Sequence, residues 1–396
     1  MPNAVLNVPK KHPLNGLSGS LKQRIVVAQT NLLDMEFSNA AELCSRALAD
    51  LKISIKPPVP LQDQPAGSLG NLASKDLLAF FSDLLARNRI PPQAISLHAA
   101  NLSHRVQLLR AFDRPDAIIE ETCRKVAEIV GTFPTTAEHI RCGRNPGDVL
   151  DPYILGAAQL LMCAGDFEST VSATVAHKVL MIIEGLLGHL HEDVIGAMRG
   201  NVRIPEPRGE DQETLSPQTN PFPGADVVQP PLKAGRPLRF HQIKSKTGSA
   251  KGGDGKRLGL QLNELTRVYG GEAFYDALIG NTLRGHRSMA GVLKAAPSVV
   301  VLVGEAAFRE LTGSTVGPQL LLRLYQSAFD VAAKQTGFCL RDIVSTIYLA
   351  FRERSEELGE GFLETVLHDA IYDAPEEQDS RYYTSRRHES ASAGDE

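Results

Sequence analysis

No two of the cysteines stand as a CxxC pair. The five present in 396 residues, Cys44, Cys123, Cys142, Cys163 and Cys339, are scattered and odd in number. Neither a disulfide framework nor a zinc site is expected, and reduced, buried thiols are the default. No uninterrupted apolar run of the roughly 18 residues that span a bilayer stands out. The opening Met1-Pro-Asn-Ala-Val-Leu6 lacks the charged and apolar regions of a signal peptide. The expectation is therefore a cytoplasmic protein with no membrane partner. His191-Glu192-Asp193-Val194-Ile195 lacks the second histidine of a zinc-protease helix. The glycine-rich stretch Thr247–Gly259 fails as a nucleotide-triphosphate loop twice. Ala250 stands where the first glycine is needed, and Arg257 follows Gly255-Lys256 where Ser or Thr is needed. Zinc chemistry and ATP hydrolysis are set aside.

What is present is a globular chain, 42% hydrophobic, long enough for two or three domains. Its net charge of −4 conceals an uneven distribution. Between Lys233 and Lys294 twelve Lys/Arg face four acids, a local excess of +8. Such a block suits a phosphate backbone, although a solvated basic face is the commoner explanation of charge alone.

The block begins beside two short apolar stretches that read as a hairpin. In Leu238–Ser245, alternation puts Phe240, Gln242 and Lys244 on one face and Arg239, His241 and Ile243 on the other. In Ala225–Gln229 the one charged residue is Asp226, after a Pro-Gly turn. An unpartnered carboxylate in so apolar a run is costly. Pairing the two strands brings Asp226 beside Gln242 and Lys244. An ordinary cross-strand ion pair between Asp226 and Lys244 is the plain structural alternative.

These residues resemble the active-site pattern of the PD-(D/E)XK nuclease superfamily, to which most type II restriction endonucleases belong. Pro223-Gly-Ala-Asp226 is similar to the PD element with two residues inserted. Gln242-Ile243-Lys244 is similar to the (D/E)XK element with glutamine in the acidic position. The resemblance implies a restriction-endonuclease-like core, Mg²⁺ as cofactor, double-stranded DNA as partner and a homodimer. Asp226 and Gln242 would hold the metal, which needs only one or two carboxylates beside water and phosphate. Lys244 would orient or deprotonate the attacking water, or neutralise transition-state charge. An upstream helical glutamate often completes such sites, and Glu184 is the candidate catalytic and metal residue. Lys246, Lys251, Lys256 and Arg257, around the glycine loop, are the expected DNA contacts.

Along the chain, residues 1–150 read as a largely helical region for specificity, dimerisation or packing. Helical spacing runs through Leu17–Leu33, Ala40–Leu51, Ser68–Leu85, Arg105–Arg110 and Ala117–Val130, with a proline-rich linker or extended surface segment at Ile55–Gly67. Residues 151–372 read as the nuclease core. Ser169–Met198 is a long helix, or two joined, carrying His177, Glu184 and His191 at seven-residue spacing. Strands are expected at Asn201–Ile204, Ala225–Gln229, Leu238–Ser245 and Ser298–Val303, the last a central strand buried on both faces. Leu260–Leu278, Gln319–Thr336 and Leu340–Arg354 show helical spacing, and 373–396 is a charged tail. The fold class is α/β, a mixed central sheet flanked by helices. The competing readings are a non-catalytic DNA-binding defence protein with a degenerate nuclease fold, and a helical protein-interaction scaffold.

Overall fold

The computed structural model describes residues 6–17, 19–131, 151–204, 220–232, 235–246, 254–280, 287–314, 316–337, 339–359 and 361–372. It is a mixed α/β structure. The helices are α1 (Gly19–Thr30), α2 (Leu33–Glu36), α3 (Ala40–Asp50), α4 (Ala66–Gly70), α5 (Ser74–Arg87), α6 (Pro92–Ala111), α7 (Pro115–Val130), α8 (Pro152–Leu161) and α9 (Phe167–Gly196). After β1 to β3 come α10 (Asp254–Tyr269), α11 (Arg287–Ala295), α12 (Glu305–Thr312), α13 (Gly317–Thr336), α14 (Leu340–Leu358) and α15 (Phe362–Tyr372). The strands β1 (Val202–Arg203), β2 (Val227–Gln229), β3 (Arg239–Lys246), β4 (Glu272–Ile279) and β5 (Val300–Val303) form one sheet in that order. β1, β2 and β3 are antiparallel neighbours, whereas β4 and β5 run parallel to β3.

The chain divides into two compact units. One holds residues 1–122 and 187–327, the other 123–186 and 328–396. The first contains the whole sheet. One of its cores packs Val202, Val228, Phe240, Ala273 and Tyr275 against α1, α10 and α11. A separate core within the same unit joins α3, α5 and α6. There Arg105 holds Asp50 at 2.6 Å and Asp116 at 2.7 Å. The proline-rich stretch before α4 is no free linker. It makes a short 3-10 turn, Val59–Asp63, whose Leu61 is buried in that core. The second unit has its own core, where Val171, Val175 and Val179 of α9 meet Ile343, Val344, Ile347 and Phe351 of α14.

Three expectations are corrected. The helix read through Leu260–Leu278 stops at Tyr269, and Glu272–Ile279 is instead a strand buried along its middle. Gly270 and Gly271, at φ +69° and +86°, end the helix. A β-carbon on Gly271 would lie 2.1 Å from the Leu238 carbonyl, so only glycine permits the approach that pairs β4 with β3. Second, the β-branched run at Val300–Val303 is an edge strand, with Val300 41% and Val303 38% exposed. The doubly covered strand is β4, whose apolar character is broken by Tyr275 and Asp276 and so disguised. Third, α9 is by length and composition long and apolar enough to cross a membrane, with a mean hydropathy of 1.4 in its best window. Few of its charged residues fall in that window, which the search for an uninterrupted apolar run overlooked. Both ends of α9 are nevertheless packed, through Val171 and Val175 at one and Val194 and Ile195 at the other. The expected tail at 373–396 lies outside the described residues.

Candidate active site

The hairpin forms as its pattern demands. Val227 pairs with His241 and Val228 with Phe240, so one further step along the ladder brings Asp226 level with Gln242. The ladder continues to the Asp226 N–H, which donates to the His241 carbonyl at 2.8 Å. The turn before it is set by Gly224 at φ +85°, where a β-carbon would lie 2.9 Å from Gln261. Asp226 and Gln242 are both 2% exposed. The Gln242 amide nitrogen donates to Asp226 Oδ2, and the Ile243 N–H donates to the same oxygen at 2.7 Å. Lys244, half-buried, stands two residues beyond Gln242 on the same face.

Asp226 is hydrogen-bonded but, among the described residues, not ion-paired by its side chain. Burial first, and then the charge of Glu192, push its carboxyl up to about 8, against the opposing pull of Lys244, Arg203 and the Ile243 amide. Asp226 and Lys244 therefore feel each other's charge without the direct cross-strand pair that was the plain alternative. The hydrogen bonds on the carboxylate come from Gln242 and Ile243 instead.

Glu192 is the acid that the sequence reading missed. It sits on α9 two turns beyond Glu184, within the same compact unit as Asp226, and is 9% exposed. Glu184 is exposed and belongs to the second unit. Arg203 of β1 ties this corner together. Its guanidinium reaches Glu192 at 2.5 Å and Asp193 at 3.0 Å, and donates to the Asp226 backbone carbonyl at 3.2 Å. Burial works against its charge, but Glu192, Asp226 and Asp193 outweigh that and raise its pKa. The available signal was the acidic pair Glu192-Asp193 near the end of α9, with an arginine on the strand that follows. Tyr275, fully buried, is level with Gln242 on β4 and shares its face of the sheet, and burial raises its pKa. The helical pattern that hid β4 hid this residue too.

Of the expected DNA contacts, Lys256 and Arg257 are exposed on the first turns of α10. Lys246 closes β3, level with Ile279. Lys251 and most of the glycine loop lie outside the described residues. His191 is engaged elsewhere, with Nδ1 2.9 Å from the Tyr325 hydroxyl, and burial lowers its pKa to about 4.

A divalent cation finds some of what it needs at this corner. A desolvated carboxylate whose proton is hard to lose gains most from a cation, and the Gln242 oxygen remains available once its nitrogen has turned to Asp226. Arg203 already neutralises Glu192. Among the described residues no group of three or more His, Cys, Asp or Glu is arranged to hold a metal. Compared with models of protein families and with curated proteins, the chain matches none.

Proposed function

We propose that the protein is a Mg²⁺-dependent, sequence-specific endonuclease of double-stranded DNA, of the type II restriction kind. The observation that carries the reading is the buried, unpaired Asp226 held against Gln242, with Lys244 on the same sheet face. Burial keeps this carboxyl largely protonated below about 8, and a bound cation would displace that proton and hold the carboxylate ionised. Bound there, Mg²⁺ would supply charge stabilisation and an activated water. Asp226 would hold it, the Gln242 amide would fix the carboxylate's orientation and lend its oxygen, and Glu192 would set the local field. Lys244 would lie toward the scissile phosphate and take up its developing charge. Lys256 and Arg257 would contact the backbone. The working form would be a cytoplasmic homodimer, with one site for each strand across a two-fold axis, and a sedimentation mass near twice 42.9 kDa.

A second reading, a DNA-binding defence protein that no longer cuts, draws on the amide that replaces the usual acid and on the lack of a metal-ligating trio among the described residues. Incubating the purified protein with a mapped plasmid and Mg²⁺ separates the two. Discrete fragments that vanish with EDTA support the nuclease, and a salt-sensitive gel shift without cutting supports the binder. No shift at all would defeat both and leave a helical interaction scaffold.

A further inference from the structure

On the other face of the sheet, five arginines, Arg110, Arg199, Arg236, Arg239 and Arg309, line a cleft of about 320 Å³ within the first unit, together with Gln229 and two acids, Asp34 and Glu310. Three of them have acids. Arg199 reaches Glu36 at 2.5 Å, Arg239 reaches Glu272 at 2.9 Å and Glu310 at 2.5 Å, and Arg309 reaches Glu305 at 2.6 Å. Arg110 and Arg236 bond only to neutral groups. Arg110 donates to Asn71 at 2.7 Å, to the Thr312 carbonyl at 3.0 Å and to that of Gly313. Arg236 donates to the Pro230 carbonyl at 3.1 Å and that of Gly200 at 3.4 Å. Burial lowers the pKa of both, and for Arg236 the neighbouring Arg239 adds to it.

Capping carbonyls accounts for Arg110, which sits at the C-terminal end of α12 where a cation is favoured. It does not account for two atoms. Arg236 Nε is buried and has no hydrogen-bond partner among the described residues, and neither has Gln229 Oε1. The orientation of the Gln229 amide is fixed by its surroundings. Asn201 spends its N–H groups on the Ile195 and Leu311 carbonyls, so its oxygen must accept. Gln229 Nε2 supplies that bond at 3.0 Å and another to the Glu310 carbonyl at 3.2 Å. Gln229 is 3% exposed, and a buried acceptor left idle costs about 1–3 kcal/mol.

We infer that this cleft binds a small phosphomonoester, the phosphate meeting Arg236, Arg110 and Arg309. The volume falls at the small end of ligand sites, about 300–1,000 Å³, which suits a sugar phosphate or a mononucleotide and not a duplex. Arginine's rigid fork is the side chain best matched to phosphate oxygens. The cleft is independent of the Asp226 corner, so its occupancy does not rest on the nuclease reading.

The test is calorimetric titration of the whole protein in EDTA and without DNA, using inorganic phosphate, ribose 5-phosphate, adenosine 5′-monophosphate and adenosine as probes, at constant ionic strength. Ribose 5-phosphate is expected to bind more tightly than inorganic phosphate, and adenosine not to bind. Adenosine 5′-monophosphate binding more tightly than ribose 5-phosphate would assign a nucleotide, and the reverse a sugar phosphate. Arg236→Gln should weaken the phosphate ester about tenfold or more, the loss of one charge-assisted bond. Arg309→Gln alters a side chain 62% exposed, so it tests the charge without threatening the fold. Asp226→Asn should leave all of these affinities unchanged. No binding of either ester by the parent protein overturns the inference. So does equal binding by the parent, Arg236→Gln and Arg309→Gln proteins.

Discussion

The two faces of the central sheet treat buried charge in opposite ways. On one, His241 Nδ1 meets Asp276 Oδ2 at 2.8 Å with both side chains fully buried, and His241 stacks on Phe274 at 4.8 Å between ring centroids. Arg239 lies over the same phenyl ring at 5.6 Å and is held by two glutamates. On the other, one residue along each strand, Asp226 has amides for hydrogen-bond donors, and no cation touches its carboxylate. Both aspartates have raised pKa values because both are desolvated, but Asp276 has the His241 imidazole in hydrogen-bond contact, whereas Asp226 has only amides among the described residues. His241 Nε2 and Asp276 Oδ1 are themselves buried with no hydrogen-bond partner among the described residues, so the contrast lies in the imidazole that Asp276 meets and Asp226 lacks.

The largest expected effect lies on the unpaired face. Asp226→Asn should abolish Mg²⁺-dependent plasmid cleavage while DNA affinity, measured by gel shift, stays similar or tightens. Parallel loss of both would make Asp226 structural and erase the contrast between the faces. Lys244→Ala should impair cleavage severely for the same reason.

On the paired face the loss should appear in stability. Asp276→Ala breaks a buried pair and should cost about 3–5 kcal/mol in urea unfolding, against about 1 kcal/mol or less for Asp226→Asn, which keeps shape and an acceptor. Equal costs would mean that the faces do not differ.

The pH dependence sharpens this further. Folded Asp226 holds its proton more tightly than the unfolded chain does. Its contribution to stability is full below the ordinary carboxylate value of 3.8 and is lost as pH rises through about 8. The parent's Tm should fall relative to that of Asp226→Asn across this window, with the Asp276 contribution common to both. Mg²⁺ competes with the same proton, so its affinity should climb with pH until about 8. A difference in Tm that is flat with pH would show Asp226 to be ionised throughout.

Smaller effects follow at Gln242 and on α10. Gln242→Glu adds a ligand charge and should lower the Mg²⁺ concentration needed for half-maximal cleavage, while Gln242→Ala should cut poorly. Lys256→Ala and Arg257→Ala should each reduce the slope of log affinity against log salt by about 1, with little change in sequence preference.

Periodicity made much of this legible. A period of two in Leu238–Ser245 placed Phe240, Gln242 and Lys244 on one face, and the cost of a lone acid among apolar neighbours singled out Asp226. Helical spacing located the α1, α3, α5 and α7 regions and, as amphipathic repeats, α13 and α14, but only the end of α6, Arg105–Arg110. The hairpin was also readable, because a Pro-Gly turn and two short apolar strands are local in the sequence.

What escaped depended on distant neighbours. A strand's place in a sheet is fixed by what flanks it, so the apolar run Val300-Val-Leu-Val303 looked central and became an edge, while β4, carrying Tyr275 and Asp276, became interior. Gly270-Gly271 was a stop signal whose force came from the Leu238 carbonyl pressing on it. Glu192 in place of Glu184 was decided by which turn of a 30-residue helix packs beside the sheet, and Arg203 by the strand that receives it. The arginine cleft gathers residues from 110 to 309 that no window of sequence joins. Local chemistry sets which face a side chain takes, but its burial, charge partners and company depend on contacts between distant parts of the chain, which only the folded protein brings together.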